Sequence, residues 1–103
     1  MAEKQGISVE LIDLRTIYPI DKETIIESVK KTGRIIIVAE APRSFSVGAE
    51  LMAIANEDAF LYLEAPPTRV MGFDTIVPLA KGEKYYVISP DRILYEIEKT
   101  VNY

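Results

Sequence analysis

Arg34-Ile35-Ile36-Ile37-Val38-Ala39-Glu40-Ala41-Pro42-Arg43-Ser44-Phe45-Ser46-Val47-Gly48-Ala49-Glu50-Leu51 is the stretch on which the fold turns. A continuous apolar run ends in an acid and a proline, a short polar loop follows, and a glycine opens an amphipathic segment that reaches about Ala59. Four consecutive β-branched residues, Ile35 to Val38, predict a strand buried on both faces, as central parallel strands are. Beyond Gly48, Leu51, Met52, Ile54 and Ala55 recur at helical spacing. Strand, loop and helix in this order make a unit of the α/β kind.

Upstream, residues 1–5 carry helix-forming types and stop at Gly6, the pattern of a last helical turn with a glycine cap. Ile7-Ser8-Val9-Glu10-Leu11-Ile12-Asp13 alternates apolar and polar residues, which predicts a strand with one less buried face, near a sheet edge. After a connection over Leu14 to Pro19, Asp21 is placed to cap a helix whose apolar stripe is Ile25, Ile26 and Val29. Lys30 and Lys31 suit its C-terminal dipole, and Gly33 its cap.

Downstream, Phe60-Leu61-Tyr62-Leu63-Glu64 predicts a third strand, ended by Ala65-Pro66-Pro67 because proline cannot donate to a ladder. Arg69-Val70-Met71-Gly72 predicts a short fourth strand, and Tyr85-Tyr86-Val87-Ile88 strand or extended chain. Ser89-Pro90-Asp91 starts a final helix that buries Ile93, Leu94, Ile97 and Val101. No low-complexity linker interrupts the chain, so a single domain is expected.

Composition narrows the chemistry. The 103 residues include no cysteine and no histidine, which removes thiolate chemistry, disulfides, His/Cys metal sites and histidine general-base catalysis from this chain. Net charge is −4, which disfavours a polyanion, so no nucleic-acid partner is expected. No apolar run approaches the roughly 20 residues of a membrane span, and the N-terminus lacks signal-peptide character. The expectation is a cytoplasmic protein with no membrane partner.

Three predicted strands end in an acid, Asp13, Glu40 and Glu64, and an arginine follows each within a few residues: Arg15, Arg43 and Arg69. If the strands are parallel, the acids gather at the carboxyl edge, where open α/β sheets bind ligands. Ordinary ion pairs are the plainer reading. Ser46-Val47-Gly48-Ala49 opens a helix and presents backbone N–H groups, but no phosphate-loop signature accompanies it, so Gly48 reads as a close-packing residue. Tyr85, Tyr86 and Tyr95 mark either an interface or ordinary packing.

Four pieces in order, Val9-Glu10-Leu11-Ile12-Asp13-Leu14-Arg15-Thr16-Ile17-Tyr18-Pro19-Ile20-Asp21, Glu40-Ala41-Pro42 with Gly48-Ala49-Glu50-Leu51, Leu63-Glu64-Ala65-Pro66 and Arg69-Val70-Met71-Gly72-Phe73-Asp74-Thr75, form one pattern. It resembles the C-terminal domain of the beta subunit of thiamine-diphosphate-dependent 2-oxo acid dehydrogenases of the pyruvate and branched-chain type. The resemblance covers nearly the whole chain from Gly6 to Tyr103. It implies a transketolase C-terminal-domain-like fold, a three-layer α/β/α arrangement with a mostly parallel sheet and one antiparallel strand.

In that family a strand and helix ordinarily precede the Gly6-Ile7-Ser8 region, so residues 1–103 are expected to be a single, N-terminally truncated domain. An uncovered sheet edge or face tends to self-associate, so a homo-oligomer is expected.

The resemblance further implies a noncatalytic assembly and docking role, inactive alone. The parent enzyme decarboxylates a 2-oxo acid and passes the acyl group to lipoyl, using thiamine diphosphate and magnesium held in other domains. The implied partners are the alpha subunit, the remainder of the beta subunit and the acyltransferase core. Glu40 is expected to be a structural or interface acid, and Asp74 and the Tyr103 carboxylate to help dock a basic partner segment. Two alternatives are a free-standing small-ligand or regulatory module and a purely structural homo-oligomer. The chain departs from its apparent relatives at Phe45 and Ser46, where they carry glycines, and at Ala39, where they often carry a histidine or acid.

Overall fold

Asp21 nucleates the first helix: its carboxylate accepts the Thr24 backbone N–H at 3.1 Å and the Thr24 hydroxyl at 2.7 Å. That satisfies part of the set of N–H groups that every helix start leaves unpaired. In the computed structural model, which describes residues 1–103, this helix, α1, spans Lys22–Thr32. Gly33 closes it at φ 67°, a left-handed conformation that favours glycine. Strand β1 (Ile36–Pro42), α2 (Val47–Ala59), β2 (Thr68–Gly72), the short α3 (Glu83–Tyr86) and α4 (Pro90–Val101) follow. Ser89 caps α4 through the Arg92 N–H, with Pro90 in the first turn, as the sequence predicts.

β1 and β2 pair in parallel, Ile36 opposite Thr68 and Val38 opposite Val70, with α2 as the crossover that parallel strands require. Strand alternation then sorts the side chains into two faces. Ile37 packs with Ile25, Leu51 and Ile54 in the main core. On the same face, a Cβ at Gly48 would stand 2.7 Å from the Met71 sulfur, so this glycine lets α2 approach β2, the close-packing role read from sequence. The opposite face carries Val38, Val70 and Gly72. There α4 packs on both strands, and the Tyr86 ring lies where a Gly72 side chain would be, 2.6 Å from its ideal Cβ. Helices α1 and α2, a parallel sheet and α4 make the predicted three-layer α/β/α order.

The sheet is smaller than expected, with two strands and no antiparallel member. Ile7–Asp13 forms no strand: the backbone of Ser8 to Asp13 makes no hydrogen bond to another backbone group. Phe60–Tyr62 is a 3₁₀ turn running on from α2, not a strand, and leaves Leu61 92% exposed. The Tyr85–Ile88 stretch is half absorbed into α3, because Tyr86 turns inward onto Gly72. β1 is not buried on both faces either, since Ile37 is 6% exposed and Val38 45%. The predicted N-terminal turn is present as a 3₁₀ turn, Ala2–Gln5, closed by Gly6 at φ 75°.

Of the last helix's expected core residues, Ile93, Leu94 and Ile97 are half-buried and Val101 is exposed, while Thr100 is the buried one. Arg34 anchors that end: its Nε donates to the Thr100 carbonyl at 3.2 Å, and its Nη1 pairs with Glu64 Oε2 at 2.5 Å.

Candidate functional site

Beyond the carboxyl ends of the two strands, the loops after β1 and β2 are clasped by one acid. Asp74 accepts the Ser44 backbone N–H at 2.8 Å and the Ser44 hydroxyl at 2.6 Å. These two donors, side chain first, hold the Asp74 carboxyl below its ordinary range. Arg69 adds a second tie, donating to the Arg43 carbonyl at 2.9 Å. Arg92 reaches from α4 to the Met71 carbonyl at 2.7 Å, and its guanidinium lies 5.3 Å from the centre of the Phe73 ring.

In the loop after β1, Phe45 stands fully in solvent at φ 54°. For a bulky residue that region is strained by about 1–2 kcal/mol. The surrounding hydrogen bonds hold the turn in a shape better suited to glycine. Phe73, Ile76, Val77 and Leu79 are also exposed along the loop after β2. The result is an apolar surface beside an acidic clasp, suited to contacting another macromolecule.

Glu40, near the end of β1, is exposed and shares this carboxyl edge with Asp74. Tyr103 does not. It borders a small depression with Ala65, Pro66 and Thr68 at the opposite, amino end of β2. Asp74 and Tyr103 are therefore separated along the strand axis by the five residues of β2, about 16 Å at 3.3 Å each. The predicted gathering of Asp13, Glu40 and Glu64 also fails, because Glu64 precedes β2 instead of ending a strand. Its N–H donates to the Gly33 carbonyl and its carboxylate pairs with Arg34, both on the amino side of β1. Asp13 pairs locally with Arg15, and both are exposed.

Ser44 and Arg92 gave no signal in the sequence. Their partners lie 30 and 21 positions away, beyond the reach of local pattern.

An open cleft of about 700 Å³ lies between the Ile7–Leu14 segment, β1 and α4. Its walls are mostly apolar, and the acids and arginines of the chain are spread over separate edges. No three His, Cys, Asp or Glu side chains converge as a metal site. The residues present do not fit thiamine diphosphate with magnesium, which needs converging oxygen ligands and phosphate donors.

Residues 1–93 match the family described as transketolase, C-terminal domain. The chain belongs to this family. It is 54% identical over 99 residues to the pyruvate dehydrogenase E1 component subunit beta of Acholeplasma laidlawii, which covers 96% of this chain and 30% of that protein. It is 54% identical over 101 residues to the mitochondrial 2-oxoisovalerate dehydrogenase subunit beta of Dictyostelium discoideum, covering 98% of this chain and 27% of that one. The chain thus spans less than a third of the length of these relatives. No helix is long and apolar enough to cross a membrane.

Proposed function

We propose that this chain is an assembly and docking domain of a 2-oxo acid dehydrogenase beta subunit, noncatalytic by itself. The parent enzyme decarboxylates a 2-oxo acid on thiamine diphosphate with magnesium and transfers the acyl group to lipoyl. The observation that carries this reading is how little of the chain is internal: only 15 of 103 residues are buried, while large apolar side chains remain exposed on the loop after β2, at Phe45 and beside the cleft. A domain that completes its packing against other subunits leaves such surface uncovered. The relatives' names, each a beta subunit, support the same reading.

Glu40 and Asp74 then form an acidic docking edge for a basic segment of the acyltransferase core, with Tyr103 making a separate contact near the amino end of β2. The alpha subunit and the remainder of the beta subunit cover the apolar surface. Co-purification with a separately expressed alpha subunit and beta-subunit remainder tests this. The chain is expected to enter the complex and to show no 2-oxo acid decarboxylation alone. Docking of the acyltransferase should weaken about tenfold or more in Glu40→Gln/Asp74→Asn and with rising salt. Exclusion from the complex at every salt concentration would contradict the proposal.

A homo-oligomer is the second reading, favoured by the unpaired edge of β1. Sedimentation of the chain alone and with the alpha subunit separates the two.

A further inference from the structure

Arg92 carries a charge that no carboxylate of the chain answers. It is half-buried near the start of α4, and none of the salt bridges includes it. Its Nη2 donates to the Met71 carbonyl at 2.7 Å, but its Nη1 is shut off from solvent without a hydrogen-bond partner. The Tyr86 hydroxyl is in the same condition: the residue is 7% exposed, and its oxygen has no partner. Both groups converge on one peptide unit, since that oxygen lies 2.6 Å from the ideal Cβ of Gly72, the residue after Met71.

Buried orphans are costly, a charged one most of all, so two of them at one peptide unit point to a missing acceptor. Water meets the hydrogen bonds but leaves the half-buried guanidinium charge unmatched. An anion meets both needs. Asp91 in the first turn of α4 and Asp74, one residue beyond Phe73, are exposed acids on the same edge, and they favour a guest of one negative charge over the two of phosphate. A carboxylate has one charge and two oxygens, one to accept from Arg92 Nη1 and one from the Tyr86 hydroxyl. The amino end of α4 adds its positive pole, and the place, outside the carboxyl end of β2, is where open α/β sheets take ligands.

Access runs past one side chain. The Phe73 ring centre lies 5.3 Å from the Arg92 guanidinium, and Phe73 is itself exposed on the loop after β2. A swing of that ring uncovers Nη1 without unfolding a helix or strand, and its apolar face suits a short hydrocarbon tail.

We infer that Arg92 and Tyr86 form a receptor for a small monocarboxylate, with Phe73 as its lid. The site goes beyond the assembly role and does not depend on it.

The test titrates the 103-residue chain with sodium butanoate and follows its nitrogen-correlated NMR spectrum, with butanamide as the uncharged isostere and inorganic phosphate as the rival anion. Saturable shifts of the Arg92 Nε–H and the Gly72 amide are expected with butanoate and not with butanamide. Arg92→Gln should weaken binding at least about tenfold, and Tyr86→Phe about threefold to tenfold. Phe73→Ala keeps both donors and should bind at least as tightly. Because Tyr86→Phe removes only an unpaired hydroxyl, it should also raise the urea midpoint of the ligand-free chain. A lowered midpoint would show that the hydroxyl already has its partner and would overturn the inference. Equal shifts with butanoate and butanamide, tighter binding of phosphate, unchanged affinity in Tyr86→Phe, or no saturable shift also overturns it. The same titration on the complex with the alpha subunit and the beta-subunit remainder fixes the source of the carboxylate. Continued binding there supports a free small molecule, whereas loss of binding gives the place to an acidic side chain of those subunits and overturns the small-molecule assignment.

Discussion

The two long edges of β1 have had opposite fates. Toward β2, Ile36 to Ala39 pair in continuous register, and Ile37 sits in a core with Ile25, Leu51 and Ile54. Toward Ile7–Asp13, an equally strand-like sequence forms no ladder, and Leu11 is 90% exposed. The residue types on the two sides hardly differ. What differs is the partner: a strand is stable only when its peptide groups and one face are met by another element, and on the open side no strand pairs with it. Strand-forming sequence specifies a capacity for pairing, and topology decides whether it is used.

Core substitution should expose this asymmetry most strongly. Ile54→Ala, at 1% exposure, is expected to cost about 2–5 kcal/mol, enough to unfold much of a marginal domain, while Leu11→Ala changes stability by less than about 0.5 kcal/mol. Urea titration of both variants measures the contrast. Comparable losses would mean that the 7–13 segment is part of the core.

The clasped carboxyl edge offers a smaller effect of opposite sign. Phe45→Gly removes a bulky side chain from φ 54° without removing a buried contact, and should stabilise the chain by about 1 kcal/mol, read as a higher urea midpoint. A lower midpoint would show that Phe45 makes stabilising contacts.

Smaller again is the pH response of the Asp74 clasp. The Asp74 pKa is depressed in the folded chain, so its contribution is present above the unfolded value and is lost as pH falls through the folded one. The Ser44 amide resonance should therefore titrate with a midpoint below about 3.9, and Asp74→Asn should abolish that titration. A midpoint above the ordinary value would place Asp74 outside the Ser44 hydrogen bonds.

The helices were legible in the sequence because their signals are local. Asp21, Gly33, Ser89 and Pro90 act within one turn of the ends they mark, and Leu51, Ile54 and Ala55 report a buried face by spacing alone. The parallel pairing followed from strand, helix and strand in succession, and the layer order from the family resemblance. Strands were over-read where a β-type run has no neighbour. Phe60–Tyr62 continues α2 as a 3₁₀ turn, and Tyr86 is captured by Gly72 across 14 positions. The candidate edge was half legible. Glu40 and Asp74 share it, but the placement of Tyr103 at the other end of β2 depends on where α4 stops, which no local pattern records.

Amide hydrogen exchange on the chain alone tests the central claim most directly, because it reads the two edges of β1 residue by residue. The Ile54 amide, inside α2, and the β1 amides that face β2 should exchange at least about a hundredfold more slowly than the freely exposed rate, while Val9, Leu11 and Ile12 exchange close to it. Equal protection of Ile7–Asp13 and β1 in the isolated chain would contradict the account, since it would mean that the segment already has its partner.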